Sequence, residues 1–142
     1  MKIVEKEHII INSGEVNKEK IIEKMIAVLG LDEEKNLKIK EEVMNREKID
    51  NTVLGFGFAV PHSKSKHINE ASVIYLKLVN PLVWAEDEEE VNHVFMILVP
   101  ESNSEKHIDI LKDISSKIIN SEFRKNLNEL EDKLEIEKII NS

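Results

Sequence analysis

The sequence predicts an α/β domain, with a buried set of strands at its centre and helices on both sheet faces. Three observations lead there. Amphipathic helical patterns lie towards both ends of the chain, and short apolar runs lie between them. The central run 93–99 is nearly continuously apolar, as expected of a strand covered on both sides, and a second run, 71–79, reads as a strand rich in β-branched residues. The three prolines, Pro61, Pro81 and Pro100, all fall between residues 61 and 100, where Pro61 and Pro100 each end an apolar run.

The elements follow in order. Ile9, Ile10 and Ile11 form a first short strand. Asn17 is a good N-cap for a helix through about Leu29. Its apolar residues Ile21, Ile22, Met25, Ile26 and Leu29 share one helical face, and Gly30 is a plausible stop. A second helix starts after Asp32 and runs to about Glu47, with Leu37 and Val43/Met44 expected to point inward. Residues 56–60 read as a short strand stopped by Pro61. Residues 71–79 are rich in β-branched side chains and read as a longer strand. The run 93–99 is the most buried strand, ended by Pro100. Ser104 is expected to cap a helix to about Ile119, with Ile110, Leu111, Ile114 and Ile118 as its apolar stripe. Ser121 is expected to cap a short helix, and a last helix runs from Leu134 to Ile140.

Composition removes several functions. The length of 142 residues suits one domain, 1–142, and no repeat or Pro/Gly/Ser-rich linker divides it. Leu, Ile, Val and Phe make up about a third of the residues, Ile alone occurring 20 times, so a core can form. The net charge of −8 disfavours nucleic acid, whose binding rests on Lys/Arg contacts to phosphate, and favours a neutral or locally basic protein partner. Aromatic residues are only 4%, too few for a base-stacking platform. No cysteine is present, which excludes disulfides, thiolate catalysis and Cys-ligated metal. No run approaches the ~18 apolar residues of a membrane span, and no signal-type segment opens the chain, so a cytoplasmic protein without membrane insertion is expected.

Five histidines are the main chemical resource: His8, His62, His67, His93 and His107. No HExxH or His-x-His spacing supports a metal, and no phosphate loop or dinucleotide fingerprint supports a nucleotide, so neither metal nor cofactor is expected. His62 follows Ala59-Val60-Pro61, where an apolar strand meets a proline. Such a residue sits rigidly at a strand end, where sheet ligands commonly bind, although an ordinary loop histidine would read the same way. Ser63-Lys64-Ser65-Lys66 adds hydroxyls and cations suited to an oxyanion. With Ser104 as cap, His107 becomes the third residue of its helix, on the face of Leu111, Ile114 and Ile118. Free N–H groups and the helix dipole favour an anion there, although a hydrogen-bonded, half-buried histidine is the plainer alternative. Arg46 offers a fork of donors matched to phosphate, or a simple surface charge. His93 reads as surface or structural, and His8 and His67 have weak contexts. The acidic run Glu86–Glu90 reads as a solvated loop rather than a cation site.

Together, Arg46-Glu47-Lys48, Thr52 and Gly55-x-Gly57-Phe58-Ala59-Val60-Pro61-His62 resemble the enzyme IIA domain of the bacterial phosphoenolpyruvate-dependent sugar phosphotransferase system, in its fructose/mannitol (type 2) family. Pro61-His62-Ser63-Lys64-Ser65, Asn80-Pro81-Leu82-Val83-Trp84, Val94-Phe95, Leu98-Val99-Pro100-Glu101 and His107-x-x-x-Leu111 look most like fructose-type members. The resemblance covers about residues 3 to 141. It implies a mixed, about five-stranded sheet flanked by helices. It implies that His62 accepts a phosphoryl group, that His107 assists by hydrogen bonding, that Arg46 stabilises phosphate and that Thr52 contacts it.

The same resemblance implies partners. The phosphoryl group would come from the phosphohistidine of HPr and leave to a cysteine of a IIB component, which serves a membrane IIC transporter. The chain's length leaves IIB and IIC to other polypeptides, and its lack of cysteine fits the half of the relay that carries none. A regulatory, nitrogen-type member would instead signal by phosphorylation-dependent protein binding, and a degenerate binding domain would carry no phosphoryl at all. Two departures stand out. Ser63 replaces the Gly, Ala or Cys that commonly follows the histidine, and Phe56 replaces a polar residue of the mannitol branch.

Overall fold

A computed structural model describes residues 2–86 and 89–142, with Ser104 by its backbone alone. After a 3-10 turn at Lys6–His8 come β1 (Ile9–Ser13), α1 (Lys18–Ala27), α2 (Glu33–Ile49), β2 (Val53–Gly55), β3 (Phe58–Ala59) and β4 (His62–Ser65). Then follow β5 (Ser72–Val83), β6 (Glu90–Pro100), α3 (Ser104–Ile119), α4 (Ser121–Glu129) and α5 (Lys133–Asn141). The sheet runs β1-β5-β6-β3-β2, and β4 also pairs with β6, beyond the end of β3. It is mixed: β1 is parallel to β5, β5 is antiparallel to β6, and β3 and β4 are parallel to β6. That makes six strands where about five were expected, because the chain re-enters the sheet after Pro61.

The continuous apolar runs have a simple cause. Side chains alternate across a strand. Val73, Tyr75, Phe95, Ile97 and Val99 enter one core, closed by Ile110, Ile114 and Ile118 of α3, Phe123 and Leu127 of α4, and Ile136 and Ile140 of α5. Ile74, Leu76, Val94, Met96 and Leu98 enter the opposite core, closed by Ile21, Ile22, Met25 and Ile26 of α1 and Ile39 and Val43 of α2. Residues 73–78 of β5 and 93–99 of β6 are therefore dry on both faces, as the sequence predicts for 93–99, whereas Val79 and Val83 of β5 are exposed.

Four local expectations are corrected. The run 56–60 is not one strand. Phe56 (φ 58°) and Gly57 (φ 87°) make the turn of a β2–β3 hairpin, and pairing resumes only at Phe58. Gly57 is required there, because a Cβ would stand 2.7 Å from Asn92 Oδ1 while the Gly57 carbonyl accepts from the Asn92 and His93 amides. Second, Pro61 does not end the pairing. A proline lacks an N–H, but its carbonyl still accepts from Ile97 N at 3.0 Å, so the ladder on β6 continues and His62 opens β4.

Third, Leu37 is 62% exposed. The inward stripe of α2 is Ile39, Val43 and Glu47, and Leu37 lies two residues, roughly 200° of helix, away from it. Fourth, Asn103 rather than Ser104 is the N-cap residue of α3, and it makes no side-chain cap bond, so His107 is the fourth helical residue. The same one-residue shift applies to α4, where Asn120 Oδ1 accepts from the Glu122 and Phe123 amides and Ser121 is already helical. Asn17 and Asp32 cap α1 and α2 as expected. In the acidic run, Glu86, Glu89 and Glu90 are exposed and Glu90 opens β6, while Asp87 and Glu88 lie outside the described residues.

Candidate functional site

The site forms where α2 ends, β4 begins and α3 starts. Ser65 Oγ donates to Glu42 Oε1 at 2.8 Å, tying β4 to α2. That packing brings the last turn of α2, with Arg46, to the head of β4. The loop after β6 returns the chain so that the first turns of α3, with His107, face the same point. Arg46, His62, Ser63, Lys64 and His107 line one cleft there.

The His62 and His107 rings lie 4.6 Å apart, centroid to centroid, tilted by 36°. His62 Nδ1 is 2.9 Å from the carbonyl of Val60. A carbonyl only accepts, so Nδ1 carries the hydrogen and the Nε2 lone pair is left as the ring's nucleophilic position. Burial is the main force lowering the His62 pKa, with Arg46 and Lys64 adding to it, while the Val60 carbonyl and Glu47 act in the opposite direction. The His107 pKa is lowered first by burial, then by His62, Lys64 and Arg46. Both rings are thus neutral at pH 7. His107 Nε2 is buried and has no hydrogen-bond partner among the described residues. An atom so placed is ready for a ligand oxygen.

Arg46 is only half-buried, and its Nη1 donates to the carbonyl of Asp50 at 2.7 Å. That bond curls the side chain back over the end of its own helix. Lys64 shares the strand face of His62 because it lies two residues on. The site therefore gathers two neutral imidazoles and two cations, with no carboxylate in the lining. Such a set suits an anion that is transferred rather than a metal. Among the described residues no group of three or more His, Asp or Glu is placed to hold a metal ion.

Of the four residues expected at the site, His62, His107 and Arg46 meet, and Thr52 stands apart. Thr52 is buried, and its hydroxyl and amide both donate to the Glu47 carboxylate. Its carbonyl accepts from Val60 N at 2.9 Å. Its direct bonds therefore go to the segments that flank the cleft. His8 and His67 lie outside the lining. His93 is structural and fully buried: Tyr75 O–H donates to its Nδ1 at 2.6 Å, its Nε2–H donates to Asn128 Oδ1 at 2.7 Å, and it stacks on Phe58. Burial pushes its pKa down to about 4.

Sequence reasoning missed Glu47, the one charged residue on the buried stripe of α2. The signal was present, because Glu47 continues the spacing Ile39, Val43 by four more residues. It also gave no role to Trp84, whose Nε1 donates to Glu47 Oε2 at 3.2 Å.

Comparison with known proteins identifies the family. The sequence model of the family "Phosphoenolpyruvate-dependent sugar phosphotransferase system, EIIA 2" matches residues 2–142. A multiphosphoryl transfer protein of Escherichia coli O6:H1 is 32% identical over 123 residues, 85% of this chain and 15% of that protein. The chain thus spans about a seventh of that relative's length. A fructose-specific EIIABC component of Bacillus subtilis is 31% identical over 147 aligned residues, covering 99% of this chain and 23% of its own length. Among solved structures, nitrogen regulatory protein IIA-Ntr of Neisseria meningitidis superposes with a TM-score of 0.87 at 25% identity, covering 97% of this chain and 96% of that one.

Proposed function

The chain belongs to the type 2 enzyme IIA family of the phosphoenolpyruvate-dependent sugar phosphotransferase system, a family of phosphoryl carriers, and from that premise we propose that His62 is the phosphoryl-accepting residue. The phosphohistidine of HPr is the donor, and a cysteine of a IIB component is the acceptor. The observation that carries this reading is the Val60 carbonyl at His62 Nδ1, which leaves Nε2 free in a cleft of cations.

In the first transfer, a P–N bond to His62 Nε2 forms as the P–N bond of the donor imidazole breaks. In the second, the P–N bond breaks as a P–S bond forms on IIB. The transition state of such a transfer is loose, so placement and charge supply most of the rate. Arg46 and Lys64 balance the charge on the equatorial oxygens. His107 holds one of them through a ring N–H. The Val60 carbonyl does a second job, because it stabilises the proton on Nδ1 while Nε2 is phosphorylated. Thr52 takes part through the backbone, by holding Val60.

The fructose branch is favoured by the name of the Bacillus subtilis relative, in which IIA, IIB and IIC stand in one protein. That arrangement also supports IIB, and through it the membrane IIC transporter, as partners of this chain. The described residues contain no helix long and apolar enough to cross a membrane. We place the relay in the cytoplasm, where phosphoenolpyruvate feeds HPr. The close superposition on the Neisseria meningitidis nitrogen regulatory protein favours a second reading, in which the phosphorylated chain signals by binding another protein. One experiment separates them. Phospho-HPr is supplied with this chain, and the panel of IIB domains from the same organism is assayed for phosphocysteine. Labelled IIB supports transport. Labelled His62 with no labelled IIB supports regulation.

A further inference from the structure

The cleft accounts for Arg46, His62, Lys64 and His107, but not for the carboxylate buried beside it. We propose that Glu47 is a positioning residue for phosphoryl transfer, clamping the end of α2 and the Thr52 loop so that Arg46 and His62 face one another correctly. The proposal rests on the phosphoryl-carrier reading above.

Glu47 is 5% exposed and receives donors from three other parts of the chain. Lys18, the first residue of α1, places Nζ 3.2 Å from Oε2. Trp84, just past β5, donates Nε1–H to Oε2 at 3.2 Å. Thr52 donates its amide to Oε2 and its hydroxyl to Oε1. Lys18 Nζ also lies 5.2 Å from the centre of the Trp84 ring, so these two donors brace one another. A lone buried carboxylate is strongly disfavoured, and this many donors offset that penalty only in one arrangement. Glu47 therefore specifies how α1, α2, the Thr52 loop and the end of β5 meet.

Two connections run from that clamp to the reacting atoms. The first is covalent, since Arg46 precedes Glu47 on the last turn of α2. Segment 46–52 is closed twice, by Arg46 Nη1 on the Asp50 carbonyl and by Thr52 on Glu47. The second is a line of hydrogen bonds. Thr52 O–H donates to Glu47, Val60 N–H donates to the Thr52 carbonyl, and His62 Nδ1–H donates to the Val60 carbonyl. The hydrogen bond that selects Nε2 as nucleophile is thus two links from Glu47. The charged and titratable groups around His62 are Arg46 and Glu47 from α2, Lys64 from its own strand and His107 from α3. Lys18 is the cation paired with Glu47.

The test compares wild type with Glu47→Gln, Arg46→Ala, the double variant and Thr52→Val. Phosphoryl uptake from phospho-HPr is measured as kcat and KM, and the His62 ring is titrated by NMR in unphosphorylated protein. Glu47→Gln should lower kcat about tenfold or more with little change in KM, since small misplacements cost rate rather than binding. It should move the His62 midpoint further down, because the Glu47 charge that raises it is gone. In the Arg46→Ala background the same change should cost less, because one of the two connections runs through Arg46. Thr52→Val removes the hydroxyl bond to Glu47 and leaves the amide bond and Glu47 itself in place, so it weakens the line, and it should also perturb the His62 ring if Glu47→Gln fails to fold. A wild-type rate in Glu47→Gln with an unmoved His62 titration overturns the proposal, as does an equal loss with and without Arg46. If wild type takes up no phosphoryl, the carrier reading falls, while the His62 titrations still decide whether Glu47 and Thr52 govern that ring.

Discussion

His62 and His107 face each other at 4.6 Å across the cleft, on elements far apart in the sequence, and one ring has a fixed proton while the other has an unpartnered nitrogen. The two neutral imidazoles are therefore unequal. On the proposed reading, the Val60 carbonyl leaves His62 Nε2 as the nucleophile, and the unpartnered Nε2 of His107 is left to meet a ligand.

The pH profile of phosphoryl uptake follows from this. Only neutral His62 can attack. Its pKa in the folded chain lies below the usual 6.5, so the neutral form is already dominant at pH 7. The rate should be flat from pH 7 to 8 and should fall only as the pH drops through the lowered pKa. Initial rates with a fixed supply of phospho-HPr, measured across pH 5 to 8, check this. A midpoint above 6.5 would contradict it.

His107→Ala should still accept phosphoryl. The nucleophile remains, but a donor to a transferring oxygen is lost, which typically slows such steps by about 10²-fold. Single-turnover rates measure the effect. A complete loss equal to that of His62→Ala would mean that His107 itself carries the group.

Thr52→Val should destabilise the fold. Valine matches threonine in shape but leaves Glu47 short of its hydroxyl donor in a buried place. Leaving such a group unpaired costs roughly 1–3 kcal/mol. Urea denaturation checks it, and a change near zero would mean that the hydroxyl is not the donor that matters.

His93 makes the protein acid-sensitive for a reason separate from the site. Its folded pKa is about 4, against the usual 6.5 of a histidine. The folded state thus binds fewer protons, and the stabilisation is full above pH 6.5 and lost as the pH falls towards 4. The span corresponds to on the order of 3 kcal/mol. His93→Gln, which cannot titrate, should show a shallower loss of stability over that window than wild type. Parallel slopes in denaturant titrations at several pH values would refute it.

Much of this was legible in the sequence because periodicity reports burial directly. The run 93–99 reads as a strand dry on both faces, and it is. The residues Arg46, His62 and His107 were legible through their segments' resemblance to a known family, and the fold brings them together. What escaped was whatever depends on a single turn or partner. The break at Phe56–Gly57 requires positive φ, which an apolar run conceals. The strand after Pro61 depends on a carbonyl finding Ile97, and no local pattern shows that. Thr52 matched the family segment, but only three dimensions show that its hydroxyl belongs to Glu47. His93 reads as surface or structural, and the local pattern cannot decide between them because its partners, Tyr75 and Asn128, are 18 and 35 residues away.

The most direct test of the central claim is to incubate the chain with enzyme I, HPr and phosphoenolpyruvate, and then to measure acid-labile phosphate per chain. Wild type should reach about one equivalent, with the NMR signature of phosphorylation on Nε2 of His62, and His62→Ala should take up none. An unlabelled wild type, or a His62→Ala variant that labels as fully, would contradict the account.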